Sequence, residues 1–213
     1  MEPRSDLSFI EVKDTKNPVT LLKEWIAEGK QCGAHSSFMN LSTATKSGKV
    51  SNRTVVIREI MADGSLTFMA QERSNKIKDI NENPQVAATI LLIYKKSEEK
   101  IGRQITLKGI AERLSAEQGK VYFEKDSLSA KIRSWICEDC TTVDWNELKI
   151  KHDQLLKEVI ENKKVLEMPD TEVAYKIVPN EIDFYFSTGG QIADRILFKR
   201  AKSAEWTYER LMS

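Results

Sequence analysis

Asn52-Arg-Thr-Val-Val-Ile-Arg-Glu-Ile60 is the most telling stretch of the chain. Thr54, Val55, Val56, Ile57 and Ile60 are β-branched, and such side chains lose rotamer freedom in a helix but pack well on a pleated surface. The segment therefore reads as one strand. Arg53 and Arg58 stand five apart on it, which puts them on opposite faces if the strand is regular. A bulge or a shared edge would let both reach one anion. Just upstream, Phe38 to Thr45 has the same strand character and Lys46-Ser-Gly-Lys49 reads as the turn of a hairpin. Downstream, Ala62-Asp-Gly64 turns the chain into a third strand, Ser65 to Ala70.

Farther out the pattern alternates between strands and helices. Ser74 caps a short helix with Ile77 and Ile80 inward, and Asn83-Pro84 stops it. Gln85 to Tyr94 is apolar on both faces, as a central strand of a closed or covered sheet is. The charged run Lys95 to Lys100 is a hairpin loop, and Ile101 to Leu114 is a long returning strand. Ser115-Ala-Glu-Gln118 is a capping box that opens a helix. A second helix covers about 128–136, and Asp144 starts a third with the apolar stripe Trp145, Leu148, Leu155, Leu156, Val159 and Ile160. After Met168-Pro169 come strands over Val173–Val178, Glu181–Ser187 and Arg195–Lys199, with a fourth over Ala204–Met212.

At the other end, Asn17-Pro18 opens a helix carrying Leu21, Leu22, Trp25 and Ile26, which Gly29 and Gly33 end. Residues 1–16 are polar and read as a flexible lead-in. The expected architecture is mainly β with peripheral helices (α+β): one antiparallel barrel or sandwich over residues 17–213, with a helical insert at about 115–163.

Composition bounds the partners. Lys and Arg total 33 against 32 Asp and Glu, so there is no electrostatic reason to expect nucleic acid or an anionic membrane. The longest apolar run, Val86 to Tyr94, is far short of the ~20 residues of a membrane span. The N-terminus has neither an apolar signal core nor the pattern of a transit peptide. Three cysteines argue against a secreted disulfide scaffold and fit a reducing, cytoplasmic setting.

Few isolated motifs carry chemistry. Cys137-Glu-Asp-Cys140 has the spacing of half a zinc site or a redox pair, but only Cys32, His35 and His152 remain as soft ligands. Two thiols in a helix-terminal loop is the simpler reading, and no metal is expected. P-loop, Rossmann and nucleophile-elbow signatures are absent. Lys76 falls in the first turn of the helix opened by Ser74, where backbone N–H groups favour phosphate, and Arg195 closes a Gly-rich loop. With Arg53 and Arg58, these cations suit a phosphorylated ligand.

Arg53-Thr-Val-Val-Ile-Arg58, Asp63-Gly64 and the strand to Phe68 resemble the flavin-binding strands of the pyridoxine/pyridoxamine 5′-phosphate oxidase family. The resemblance continues through Ser74-Asn-Lys76, Asn83-Pro84, Arg103-Gln104, Gly109 to Ser115, Tyr122-Phe123, Ile182 to Tyr185, Asp194-Arg195 and Trp206 to Leu211. It implies a homodimeric split β-barrel with FMN at the subunit interface. It also implies oxidation of pyridoxine or pyridoxamine phosphate to pyridoxal phosphate, with hydride passing to the flavin and O2 reduced to H2O2.

Carried onto this sequence, the resemblance lines FMN with Arg53, Thr54, Val55, Val56, Ile57 and Arg58, with Arg53 on its phosphate. Phe68, Met69, Lys76, Gln104, Tyr185 and Arg195 complete that set, Tyr185 replacing a family Trp. Arg58, where the family has Lys, and Tyr122 would meet the substrate. Other substrate positions depart from the pattern. Asp126 replaces an Arg, Ala130 a Ser, and Gln191-Ile-Ala193 an Arg-Leu-His segment; Asp139-Cys140 replaces a flavin-side Gln-Ser pair. Asp for Arg turns attraction for a phosphate dianion into repulsion. An altered pocket therefore goes with the family activity. The alternatives are a paralogue that binds FMN or a B6 vitamer with little oxidase activity, or a flavin oxidoreductase for another substrate.

Overall fold

The computed structural model describes residues 7–137, 141–201 and 203–213. Its elements run α1 (Pro18–Gln31), β1 (Phe38–Ala44), β2 (Val50–Val56), β3 (Glu59–Ile60), β4 (Leu66–Gln71), α2 (Asn75–Glu82), β5 (Gln85–Lys96) and β6 (Glu99–Arg113). Then follow α3 (Ala116–Glu124), α4 (Leu128–Ile136), α5 (Trp145–Glu161), β7 (Glu172–Thr188), β8 (Asp194–Arg200) and β9 (Trp206–Leu211). All ladders are antiparallel, in the order β2-β1-β5-β6-β7-β4-β3, with β8 and β9 continuing from β7. The expected mainly β architecture with peripheral helices is what the chain adopts.

The stretch Asn52 to Ile60 is not one strand. β2 pairs with β1, whereas β3 pairs with β4, so the chain changes sheet edges at Ile57 and Arg58. The Ile57 N–H donates to Ser37 O at 2.9 Å, and the next N–H, of Arg58, donates to Thr67 O at 2.8 Å. This switch brings the two ends of the sheet path together, and it breaks the alternation on which the opposite-face expectation for Arg53 and Arg58 rested.

The reverse correction applies to β7. Val173–Val178 and Glu181–Ser187 are one strand of 17 residues, which pairs along one edge with β6 and along the other first with β4 and then with β8. The ladder steps from Lys108↔Glu181 to Gly109↔Pro179, leaving Asn180 as the extra residue of a bulge. Gly109 is required there, because a Cβ on it would lie 2.0 Å from the Val178 carbonyl oxygen. The β5–β6 hairpin is also tighter than the charge run suggested, turning on Ser97 and Glu98, both at positive φ.

α1 begins as expected, with the Asn17 side chain accepting from Val19 N and Pro18 in the first turn. Gly29 does not end it; the helix continues to Gln31, and Gly29 sits against Leu92, where a side chain would crowd. Trp25 meets Phe184 edge to face at 5.2 Å, joining α1 to a core that includes the fully buried Phe68, Phe184 and Phe198. The Ser115 capping box forms as expected. α4 and α5 build a small separate cluster around Ile132, Leu155 and Leu166. The α5 stripe is a weaker core face than its spacing implied: Leu155 is buried, but Trp145 and Ile160 are 74% and 64% exposed.

The expected loose lead-in is tied down from Leu7 onward. Leu7 bridges Ile192, the Ser8 N–H donates to Ile192 O, and the Ile10 N–H donates to Asp194 Oδ2 at 2.6 Å. Arg210 closes the clasp by donating to Asp194 and to Ile10 O. No helix among the described residues is long and apolar enough to cross a membrane.

Candidate functional site

Because β2 leaves β1 for the β4 edge, a cleft opens beside the crossing. It has a volume of about 370 Å³ and is lined from β2 by Arg53, Thr54, Val55 and Val56, and from the crossing by Arg58. β4 contributes Met69, Ala70 and Gln71, and the start of α2 contributes Ser74 and Lys76. Arg133 and Cys137 of the α4 end and Glu172 of β7 complete the wall. Seven of the twelve residues expected at the cofactor (Arg53, Thr54, Val55, Val56, Arg58, Met69 and Lys76) thus share one cleft. Ile57 packs against the core instead, and the Phe68 side chain is wholly buried, stacked on Tyr175 at 5.9 Å.

The outer end of the cleft has anion-binding chemistry. Arg53 is held in place by donating to Leu41 O at 3.1 Å and Thr43 Oγ1 at 2.9 Å, both uncharged acceptors. Its nearest carboxylate is Asp79 Oδ2 at 3.9 Å, and burial lowers its pKa. Ser74 occupies the N-cap of α2, but its hydroxyl makes no capping bond and is buried without a partner. A guanidinium on neutral acceptors, an orphaned hydroxyl and a helix N-terminus together fit a phosphate group.

The inner end is arranged otherwise. Arg58 makes a two-pronged ion pair with Asp126, two residues beyond the end of α3; Nη1 donates to Oδ1, and Nη2 to Oδ2 at 2.9 Å. The side chains are 16% and 8% exposed. Close by, Glu172 accepts from Gln71 Nε2 at 2.5 Å, and the same amide donates to Ser134 O at 3.0 Å. Burial raises the Glu172 pKa, against the opposing pull of Ser134, Arg133 and Arg58. Two polar atoms at this end are buried without partners, the donor Arg58 Nε and the acceptor Gln71 Oε1.

Tyr122 does not line this cleft. Its hydroxyl donates to Glu59 Oε2 at 2.7 Å, and burial raises its pKa. Ala130 is in the first turn of α4, its N–H bonded to Ser127 Oγ. Asp139 and Cys140 lie outside the described residues.

The remaining expected cofactor residues lie elsewhere, in one row across the sheet. The register runs Leu91↔Gln104, Gln104↔Tyr185 and Tyr185↔Arg195. Leu91, Gln104 and Tyr185 line a second, open hollow of about 700 Å³ together with Ile93, Gly189, Gly190 and Gln191. Leu91 and Ile93 are each 54% exposed, so β5 is not apolar against a covering layer on this face. Arg195 is paired with Asp183, Nε donating to Oδ2 at 3.0 Å. The Ala193 carbonyl accepts from Ser213 Oγ.

Sequence reasoning missed Gln71, Arg133 and Glu172. Glu172 had a readable signal, a carboxylate at the head of an apolar strand; the others became site residues only through the packing of α4 on β4 and β7.

Fold and cleft together define a split β-barrel of the FMN-binding type, with an arginine-lined cleft at the strand crossing. The chain belongs to the pyridoxamine 5′-phosphate oxidase family. Residues 26–176 match the model described as "Pyridoxamine 5'-phosphate oxidase", and residues 173–213 match "Pyridoxine 5'-phosphate oxidase C-terminal dimerisation region". A pyridoxine/pyridoxamine 5′-phosphate oxidase of Leptospira biflexa is 30% identical, covering 92% of this chain and 88% of its own. A probable pyridoxamine 5′-phosphate oxidase of Schizosaccharomyces pombe is also 30% identical, covering 87% and 80%. Among solved structures, PhzG from Burkholderia lata, in complex with tetrahydrophenazine-1-carboxylic acid, superposes with a TM-score of 0.83 at 21% identity, covering 98% of this chain and 100% of that one. A pyridoxamine 5′-phosphate oxidase-related, FMN binding protein from Nostoc punctiforme gives 0.68 at 14% identity, covering 91% and 96%.

Proposed function

We propose that the protein is a cytosolic FMN-dependent oxidoreductase that works as a homodimer on a small organic substrate. The observation that carries this reading is the outer end of the cleft, where Arg53, Lys76 and the orphaned Ser74 hydroxyl match the phosphate of FMN. Bound FMN would supply the hydride-accepting chemistry. The chain's own part is to hold the phosphate at Arg53 and the α2 N-terminus, and to pack the flavin against Val55, Val56 and Met69. Gln104, Tyr185 and Arg195 share no cleft with that set in one chain. A second copy that brings its open sheet face to the cleft of the first would complete the site. The exposed Leu91 and Ile93 beside that row, and the match to a dimerisation region, support such an arrangement.

Family membership favours a phosphorylated B6 vitamer as substrate, oxidised to pyridoxal phosphate with O2 as the final acceptor. A specific feature favours a second reading, an oxidoreductase for another substrate: Arg58 is neutralised by Asp126, and Tyr122 is turned to Glu59. The deciding experiment is the visible spectrum of FMN-loaded, desalted protein, held anaerobically, before and after pyridoxamine phosphate is added. Bleaching of the flavin band establishes the B6 oxidase. A band that survives desalting without bleaching keeps the flavoprotein and selects the other substrate, and a colourless protein rejects both.

A further inference from the structure

Arg58 is the cation that the strand crossing contributes to the inner end of the cleft, and the chain itself supplies its counter-ion. Arg58 spends both terminal nitrogens on the Asp126 carboxylate, in a pair largely removed from water. Glu172 lies beside it, its carboxyl coupled to Arg58, Arg133 and Asp126. A phosphate dianion placed there would meet a guanidinium whose fork is already engaged by a carboxylate, with Arg133 as the other cation of the lining at that end.

We propose that Asp126 is a specificity-determining residue, which engages the fork of Arg58 so that the inner end of the cleft does not take a phosphate monoester. This rests on the reading of the cleft as the ligand site. The substrate class it implies is an unphosphorylated small molecule.

Two non-oxidisable probes that differ only in the phosphate, 4-deoxypyridoxine and its 5′-phosphate, test this by calorimetric titration of the FMN-loaded protein. The wild type should bind the phosphate ester no better than the free alcohol. Asp126→Asn frees Arg58 and should raise affinity for the phosphate ester by about tenfold or more, as a charge-assisted contact allows, with the alcohol unchanged. Asp126→Ser repeats the measurement should the amide disturb folding, which a melting curve reports. A wild type that prefers the ester, or variants that gain no ester affinity or gain equally for both probes, overturns the proposal. Flavin retention is read separately from absorbance. If no FMN is held, the cofactor reading fails alone, and the same titrations on an Arg53→Ala background still decide the role of Asp126 without a contribution from the outer end.

Discussion

Arg53 and Arg58 are the same residue type, five positions apart, in the same cleft, and they have opposite fates. Arg53 is positioned by a backbone carbonyl and a threonine hydroxyl and has only a long ion pair, 3.9 Å, with Asp79, so it is less committed within the chain than Arg58. Arg58 is bound on both terminal nitrogens to a carboxylate that is more buried than itself. The charge of a cleft therefore cannot be counted from its arginines. What matters is whether the chain has already supplied the counter-ion. On the proposed reading Arg53 serves ligand binding and Arg58 the fold, and variants can separate the two roles.

The largest effect is expected from Arg58→Ala, which strands Asp126 in a nearly dry site. Removing one partner of a buried pair typically costs about 3–5 kcal/mol. The loss should appear as a lower denaturation midpoint, and the double variant Arg58→Met/Asp126→Leu should recover most of it, because apolar replacement of both partners removes the desolvation cost. Equal destabilisation by Arg53→Ala would erase the distinction between the two arginines.

Arg53→Ala should instead act on the cofactor. Loss of one charge-assisted contact, worth about 1.5–3 kcal/mol, weakens FMN binding by roughly 10- to 100-fold, with little change in melting temperature. Flavin fluorescence titration measures the first and a melting curve the second.

Much of this was legible beforehand. The Asn17-Pro18 start and the Ser115 capping box marked where two helices begin, because those signals are local, whereas β-branched Asn52–Ile60 showed strand character but ran two strands together. The change of sheet edge at Ile57-Arg58 was not legible, since it depends on Ser37 and Thr67 arriving from either side. For the same reason β7 read as two strands; Pro179-Asn180 resembles a break, and only Gly109 on the neighbouring strand lets the chain pass through as a bulge. The substitution of Asp126 for Arg was visible as a loss of phosphate affinity. That Asp126 reaches back to neutralise Arg58 was not visible, because the two residues are 68 apart in the chain and meet only across the α3–α4 corner.

A smaller effect concerns pH. Glu172 has its pKa raised by burial above the ordinary value of 4.5, so the folded state binds more protons than the unfolded chain once pH exceeds that value. Its contribution to stability is complete below pH 4.5 and is lost as pH climbs through the raised pKa, with a slope of at most about 1.4 kcal/mol per pH unit for one proton. Glu172→Gln keeps a neutral polar group in place and should remove that slope from a series of urea denaturations. An unchanged slope would show that the inner end carries no proton of its own.

Tyr122→Phe is expected to do least. A tyrosine that met the substrate would lose ligand affinity on becoming phenylalanine, but here the hydroxyl is committed to Glu59 at the β3 edge and lies outside the cleft lining. Its removal deletes one hydrogen bond to a carboxylate at the surface side of that edge, a cost of about 1 kcal/mol. Affinity for either 4-deoxypyridoxine probe should stay the same within error. A selective loss of affinity for the phosphate ester would mean that Tyr122 swings from Glu59 toward the cleft when a ligand enters. The inner end would then have a second, mobile contact, and the separation between a ligand-binding Arg53 and a structural Arg58 would hold only for the empty protein.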